Sequence, residues 1–186
     1  IRINRWNAFH SIHEDREGVL WIASVQGLVR FDPDTKQFRR YPHPSQLWFS
    51  AITEDLSGRL WVGGAAGVNH FDRKTGKFTQ VLLDSTRKEQ PIGWSLHVDR
   101  RGILWAGTSK AGVFRLDTRQ LHRGFAPYNP DGGINPLTVS SDGLYEDAQG
   151  YVWVLTAVGL HRIHPETNQV VTIRSNPMMP GGLNNN

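Results

Sequence analysis

The stretch "EDREGVLWIAS", residues 14–24, is repeated three more times along the chain. The copies are "EDLSGRLWVGG" at 54–64, "VDRRGILWAGT" at 98–108 and "EDAQGYVWVLT" at 146–156. Aligned on their tryptophans, the copies are separated by 40, 44 and 48 residues, a spacing typical of propeller blades. The repetition therefore predicts one structural unit that is built four times.

Each copy predicts a tight turn followed by a buried strand. An aspartate carboxylate can cap the turn, and the glycine three residues later can take the positive φ that such a turn requires. We expect the tryptophan to pack between neighbouring units rather than to bind a ligand. The structural positions of the repeat are Asp15, Gly18, Trp21, Asp55, Gly58, Trp61, Asp99, Gly102, Trp105, Asp147, Gly150 and Trp153.

Each unit also divides into four short apolar segments separated by turn residues. In the first unit these are "SIHED", "VLWIAS", "LVRFD" and "FRRYP", which predict four antiparallel strands. The predicted fold is all-β: a β-propeller segment of four four-stranded antiparallel blades. The repeats cover approximately 9–44, 49–84, 93–128 and 141–176 of a single propeller segment, 1–186.

The two ends of the chain predict that this propeller is an incomplete, open part of a larger one. Residues 1–8 are similar in spacing to the tail of a preceding blade, and 177–186 to a loop into a following blade. Four blades also lie at the lower limit for a closed ring. We expect the exposed end blades to favour self-association or dimerisation.

Composition excludes several classes of function. The chain has 186 residues, a net charge of +4 and no cysteine, which excludes disulfides, thiol catalysis and cysteine-ligated zinc. Its basic residues are scattered, so no nucleic acid partner is expected. No apolar run approaches the roughly 20 residues of a membrane helix. A membrane connection is therefore expected only through segments absent from this chain.

Acidic pairs precede three of the four turns, but their recurrence argues against catalysis. Neighbouring residues of a strand point to opposite faces, which is the wrong geometry for an acid–base couple. We predict that the pairs are turn caps and strand-edge charges. They are Glu14–Asp15, Glu54–Asp55 and Glu146–Asp147.

Histidines occur in two pairs, His10 with His13 and His161 with His164. A spacing of three along a strand places the two rings on opposite faces, so neither pair predicts a metal site by itself. The sequence therefore predicts no catalytic residues, no metal and no cofactor.

The segments that depart from the repeat are the best candidates for ligand binding. In a propeller, the loops between blades and the turns between second and third strands meet at one edge, where they combine aromatic and polar residues. We predict that an oligosaccharide or another small ligand binds there, while local packing of these long loops remains the alternative. The candidate ligand-binding residues are Gln26, His43, Trp48, Trp94, Lys110, Asn129 and Asp131.

These repeats resemble the two-component-regulator propeller repeat, whose consensus is approximately "I-x-E-D-x-x-G-x-L-W-I-G-T-x-x-G-L-x-R-[FY]-D". Repeat three departs from it at Val98, and repeat four at Leu155 and His164. Repeat one has the consensus residues Ile12, Glu14, Asp15, Gly18, Leu20, Trp21, Ile22, Gly27, Leu28, Arg30, Phe31 and Asp32.

The resemblance implies a sensor region on the periplasmic or extracytoplasmic side of a bacterial membrane signalling protein. Such a region is non-catalytic and often recognises carbohydrate, and it is followed by a histidine kinase or a diguanylate cyclase. No kinase histidine box and no "GGDEF" motif occurs in this sequence.

Two other functions remain open. Virginiamycin-B-type lyases are propellers with a similar "G-x-L-W" motif and use histidine and glutamate around a metal. The corresponding loops here offer only His43 and Glu89. The second alternative is a protein-interaction scaffold.

Overall fold

The computed structural model describes residues 9–83, 91–109, 111–128, 139–156 and 159–174, without the side chains of 94 and 139–142. Within these ranges the chain forms four separate four-stranded antiparallel sheets. The strands are β1 Phe9–Glu14, β2 Leu20–Ser24, β3 Gly27–Asp32, β4 Gln37–Tyr41, β5 Phe49–Glu54, β6 Leu60–Gly64, β7 Gly67–Asp72, β8 Lys77–Val81, β9 Gly93–Val98, β10 Ile103–Thr108, β11 Val113–Asp117, β12 Ala126–Tyr128, β13 Val139–Glu146, β14 Val152–Thr156, β15 Gly159–Ile163 and β16 Val170–Ile173. A short 3-10 helix, η1 (Leu121–Arg123), connects β11 to β12.

The sheets follow one another as the blades of an open propeller, which confirms the predicted fold class. Strands are hydrogen-bonded in chain order within each sheet, and the first strands β1, β5, β9 and β13 contact one another in sequence. We number the sheets blades 1 to 4. The repeat boundaries stay a prediction, and β13 begins at Val139, before the expected start at 141. Residues 1–8 and 177–186 lie outside the described ranges.

The turn between first and second strands has the predicted chemistry in every blade. In blade 1, one carboxylate oxygen of Asp15 accepts hydrogen bonds from the amides of Glu17 at 3.0 Å and Val19 at 2.9 Å. Gly18 has a φ of 77°, a conformation that strains residues with a Cβ. This turn fixes the register of the hairpin that follows it.

The same aspartate also binds the tryptophan of its own repeat, a contact that the sequence analysis did not anticipate. Its second carboxylate oxygen accepts a hydrogen bond from the indole Nε1 in each blade. The distances are 2.7 Å for Asp15–Trp21, 2.9 Å for Asp55–Trp61, 3.0 Å for Asp99–Trp105 and 2.8 Å for Asp147–Trp153. One carboxylate thus fixes both the turn and the large side chain of the second strand.

The tryptophans of the first three blades are buried against the next blade, as predicted. Trp21 packs edge-on against Phe71 of blade 2, with ring centres 5.5 Å apart. Trp61 belongs to a core cluster with Leu104 and Phe114 of blade 3. Trp153 is only half-buried, because no further blade follows among the described residues.

Two glutamates were predicted to be strand-edge charges, and this prediction is wrong. The side chains of Glu54 and Glu146 are only 6% and 9% exposed, and both lie between blades. The carboxylate of Glu54 accepts a hydrogen bond from the backbone amide of Arg16 of blade 1 at 3.1 Å. Glu146 accepts a hydrogen bond from the backbone amide of Arg100 of blade 3 at 3.0 Å, and its other carboxylate oxygen forms an ion pair with the Arg100 guanidinium at 2.8 Å.

We call this arrangement the arginine–glutamate clasp. The residue after the turn aspartate of one blade binds the glutamate before the turn aspartate of the next. Between blades 2 and 3 both clasp residues are apolar: Leu56 stands in the arginine position and Val98 in the glutamate position. Leu56 lies against the blade 3 turn, close to Gly102. Charged and apolar contacts thus alternate along the four blades.

The two end blades expose apolar side chains. Phe9, Ile12 and Phe38 of blade 1 are 62%, 63% and 55% exposed. On blade 4, Tyr145 and Val171 are 64% and 59% exposed. The corresponding faces of the inner blades are covered by their neighbours, so the end faces have the composition of blade interfaces.

The buried carboxylate of Asp55 is charged under ordinary conditions. Burial by itself would raise the pKa of Asp55, but hydrogen bonds from Ser57, Trp61 and Arg59 outweigh burial and lower it. A lowered pKa in the folded state means that the ionised carboxylate stabilises the fold above its ordinary pKa. That stabilisation is lost as the pH falls through the lowered value.

We expect Asp55→Ala to lower the free energy of unfolding by about 3 kcal/mol, because it leaves the buried indole N–H of Trp61 and the turn amides without an acceptor. Urea denaturation at neutral pH measures this loss. Asp72→Ala is the matched control, since Asp72 also caps a turn of blade 2 but is exposed and binds no indole. Equal losses for the two variants would contradict a special role for the indole bond.

Candidate functional site

The blade-connecting loops and the turns between second and third strands lie together at one edge of the propeller, which we call the loop edge. The amide of Ala65 in a blade 2 turn donates to the carbonyl of Trp48 at 3.1 Å. The amide of Ser109 donates to the carbonyl of Ile92 at 3.3 Å in blade 3. A Cβ on Gly27 would lie 2.4 Å from the carbonyl oxygen of Tyr41, so turn and loop are in direct contact.

Gln26 is exposed at the loop edge, where a ligand could reach it. Its side-chain oxygen accepts a hydrogen bond from the guanidinium of Arg40. Arg40 lies on β4, opposite Val29 of β3. Arg40 was not among the predicted ligand-binding residues, because its position inside a strand gave no sign that it reaches the β2–β3 turn.

His43 lies at the same edge but is held by aromatic packing. Its ring centre is 5.6 Å from that of Phe49 and 5.5 Å from that of Phe78. Burial lowers the pKa of His43, against a smaller raising effect of a hydrogen bond with Asn69. The neutral ring is therefore favoured, and its contribution to stability is present above pH 6.5 and is lost as the pH falls.

Trp48 is half-buried, and its ring centre lies 5.9 Å from that of His10 in blade 1. This contact gives the indole a packing role across the boundary between two blades. Trp94 was predicted to lie in a loop, and this assignment is wrong. It is the second residue of β9, because that strand begins at Gly93.

The remaining candidates, Lys110, Asn129 and Asp131, lie outside the described residues, as does Glu89. Of the side chains that are described, Gln26 pairs with Arg40 while His43 packs on Phe49 and Phe78. The loop edge therefore brings candidate segments together, and their role in ligand binding stays a prediction.

Polar side chains that bind the turn between β6 and β7 form a second feature of this edge, which was not predicted from the sequence. Asn69 is 1% exposed and donates to the carbonyl of Ala66 at 3.2 Å. Gln80 donates to the same carbonyl at 2.8 Å. The signal was present in the repeats, because Asn69 occupies the position of Val29 in blade 1. A polar residue at an apolar repeat position marks a local requirement for hydrogen bonds.

The same repeat position in blade 4 is His161, one of the histidines considered for metal binding. His161 is 3% exposed, and its two ring nitrogens lie 3.0 Å from the hydroxyls of Thr156 and Thr172. Its ring is therefore fully engaged within blade 4. Across the described ranges, no group of three metal-binding side chains comes together.

Solved structures place the fold among the β-propellers. The extracellular domain of the BT4673 one component or hybrid two component system from B. thetaiotaomicron has a TM-score of 0.75 and is 25% identical. The match covers 90% of this chain and 25% of that one. For the BT3049 hybrid two component system of the same organism the TM-score is 0.67, at 22% identity, over 88% of this chain and 23% of that one. The chain thus spans about a quarter of these extracellular domains.

Residues 5–26 match the model of the family described as "Two component regulator propeller". This segment contains the first copy of the repeated motif. Together with the likeness to the two extracellular domains, the match confirms the resemblance stated from the sequence. No curated protein matches the chain by sequence.

Virginiamycin B lyase from Staphylococcus aureus shares the fold, with a TM-score of 0.72 over 91% of this chain and 56% of that one. At 13% sequence identity, this similarity shows a shared fold only. Among the described residues, no helix is long and apolar enough to serve as a membrane span.

We expect His43→Ala to lower the free energy of unfolding by about 1 kcal/mol, because the ring packs against two phenylalanines. Gln26→Ala should change it by less than about 0.5 kcal/mol, because Gln26 is exposed. Urea denaturation at pH 8, where His43 is neutral, measures both values. An unchanged stability of His43→Ala would show that the ring is available for other contacts.

Proposed function

We propose that this chain is part of an extracytoplasmic sensor propeller of a two-component signalling protein and that it binds a small ligand at the loop edge. The observation that carries the proposal is the convergence of blade-connecting loops and second-to-third-strand turns at that edge. These segments depart from the repeat, so they are free to specify a ligand while the blades keep their packing. The similar extracellular domains of two component systems support the assignment to signalling.

The proposed mechanism is a shift between two arrangements of the sensor. A ligand that binds one arrangement better changes the populations by its difference in affinity for the two. The blades themselves are tightly packed through the buried tryptophans, so a change of arrangement would occur between sensor copies rather than inside a blade. The chain performs no chemical step in this mechanism, and the signal passes to output domains elsewhere in the parent protein.

An oligosaccharide is the ligand class that we propose to test first. Aromatic rings and amide side chains are the groups that bind sugar faces and hydroxyls, and Trp48 and Gln26 supply them near one edge. Gln26 offers an exposed amide that is already oriented by Arg40. Replacement of this one exposed residue would therefore affect binding without disturbing a core.

We expect a thermal-shift screen of the chain against oligosaccharides to give at least one ligand whose binding saturates in calorimetry. Gln26→Ala should weaken that binding by about tenfold, the value of one lost polar contact to a bound ligand. Gln37→Ala is the matched control, because Gln37 is an exposed glutamine at the opposite edge of blade 1. Binding that both variants reduce equally, or neither reduces, would place the site elsewhere.

We also propose that the exposed end blades mediate self-association. The faces containing Phe9 and Ile12 on blade 1, and Tyr145 and Val171 on blade 4, are apolar surfaces of the kind that blades bury between them. Burying such surface is the main favourable contribution to association.

We expect sedimentation velocity to show a concentration-dependent dimer or larger species of the chain. Ile12→Asp and Val171→Asp should shift the equilibrium toward the monomer, since each places a charge in an apolar interface. Thr79→Asp, in β8 of blade 2, is the control at an exposed strand position. A wild-type chain that remains a monomer at all concentrations would contradict self-association and would leave the loop-edge proposal unaffected.

A further inference from the structure

The edge opposite the loop edge contains a groove that is rich in arginine. We call this the turn edge, because the turns between first and second strands and those between third and fourth strands meet there. Between blades 3 and 4 the groove has a volume of about 410 Å³, and it is lined by Arg101, Arg115, Arg119 and Arg123. Four cationic side chains in one concave space raise the question of what they bind.

Apart from Asp117, the walls of the groove between the arginines are apolar. Ile103, Trp105, Ala126 and Pro165 supply them, with Pro165 contributed by blade 4. The volume lies within the range of pockets that hold small molecules. The groove can therefore accept an anionic group together with an apolar part of the same molecule.

Two of the four arginines are neutralised by neighbouring carboxylates. Arg101 is paired with the buried carboxylate of Asp99, although its Nε is buried and has no hydrogen-bond partner among the described residues. Arg119 makes two contacts with Asp117, at 2.8 and 2.9 Å. The guanidinium of Arg119 holds the pKa of Asp117 down at about 2, so this carboxylate stays ionised.

The other two arginines have no carboxylate partner among the described residues. Arg115 donates to the amide oxygen of Asn168 at 3.3 Å and lies 5.2 Å from the ring centre of Tyr128, and neither contact neutralises it. Arg123, at the end of η1, has no side-chain ion pair within the described ranges. The groove therefore has more arginines than paired carboxylates among the described residues.

The equivalent groove between blades 1 and 2 is smaller and is filled by arginine side chains. It has the same frame of turn aspartate, tryptophan and strand arginine, but its volume is only about 230 Å³. Arg39 and Arg73 line this smaller groove. Arg73 of blade 2 pairs with Glu54 of its own blade at 2.8 Å and reaches across the groove to Asp15 of blade 1 at 3.4 Å. In the larger groove Ala126 and Pro165 occupy these two positions, which removes both long side chains.

Charge changes at two further repeat positions. Blade 1 has Glu17 and Asp34 where blade 3 has Arg101 and Arg119. The four-stranded frame is shared by the two blades, but blade 3 also has η1 between its third and fourth strands, and η1 supplies Arg123. The larger groove thus lacks the two arginines that fill the smaller one, and basic residues of blade 3 stand where blade 1 has acidic ones.

We propose that the groove between blades 3 and 4 binds the phosphate or sulfate group of a small molecule. Arginine presents planar N–H groups that match such oxyanions, and the four side chains come from a turn, a strand, a connection and a helix end. An oxyanion with oxygens pointing in several directions satisfies donors from several directions better than a planar carboxylate does. This site is separate from the proposed site at the loop edge and does not depend on it.

The test is a titration of the whole chain, monitored by NMR at constant ionic strength. Three ligands are titrated separately: p-nitrophenyl phosphate, p-nitrophenyl sulfate and phenylacetate. We expect saturable binding of at least one of the two esters and weaker binding of the carboxylate. The ester that binds more tightly shows whether the groove prefers a phosphate or a sulfate group. Phenylacetate that binds as tightly as both esters, or no saturable binding in any arm, would overturn the proposal.

Two pairs of variants separate the groove from general charge. Arg119→Asp should weaken binding of the ester about tenfold or more, while Lys74→Asp, the same reversal at the same repeat position of blade 2, should leave it unchanged. Blade 1 already has Asp34 at this position, so the fold accepts an aspartate there.

Arg123→Gln and Arg39→Gln form the second pair, with the same change of charge in the larger and the smaller groove. We expect weaker ester binding only for Arg123→Gln. Equal effects within each pair would show that the ester is attracted by net charge alone, and the proposed site would then be wrong. A melting curve of each variant checks that the fold is intact.

Discussion

The hydrogen bond between the turn aspartate and the tryptophan six residues later is the contact on which the rest of the structure depends. The carboxylate caps the turn with one oxygen and holds the indole N–H with the other, at 2.7 to 3.0 Å in the four blades. The indole is thereby oriented with its polar atom satisfied inside the blade. Its apolar face is then available for the neighbouring blade, so a single side chain connects turn geometry to packing between sheets.

That local arrangement explains why the repeat tolerates variation elsewhere. Once turn, tryptophan and register are fixed, the loops at one edge and the groove residues at the other can change without cost to the blade. Blade 3 illustrates this freedom at the turn edge, where Arg101 stands at the position of Glu17. Blade 2 illustrates it near the loop edge, where Asn69 stands at the position of Val29.

The spacing of Asp, Gly and Trp predicted the blades, the turns and the burial of the tryptophans, because these properties follow from local geometry and repetition. The indole bond was missed, since a separation of six residues brings two side chains together only after the hairpin forms. Glu54 and Glu146 were misjudged because their partners, Arg16 and Arg100, belong to other blades. Comparison of each repeat with the next one would have revealed these pairs.

At the loop edge, the sequence predicted which segments lie together but not which side chains contact one another. The loops and turns do meet there, but Trp94 belongs to a strand, and the packing of His43 depends on Phe78 from β8. Such contacts between distant parts of the chain leave no periodic signal. They are set by how the sheets stack, which a single repeat does not encode.

The alternation of charged and apolar contacts along the blades has a consequence for folding. Four similar sheets in one chain could dock in a wrong order, a common failure of repeat proteins. Docking of blade 1 on blade 3 would leave Arg16 facing Val98, and docking of blade 2 on blade 4 would place Leu56 against Glu146. The first mistake would lose the hydrogen bond between Arg16 and Glu54, and the second would leave the buried carboxylate of Glu146 without its arginine partner. The clasp residues therefore disfavour docking of a blade with a charged contact residue on a blade with an apolar one.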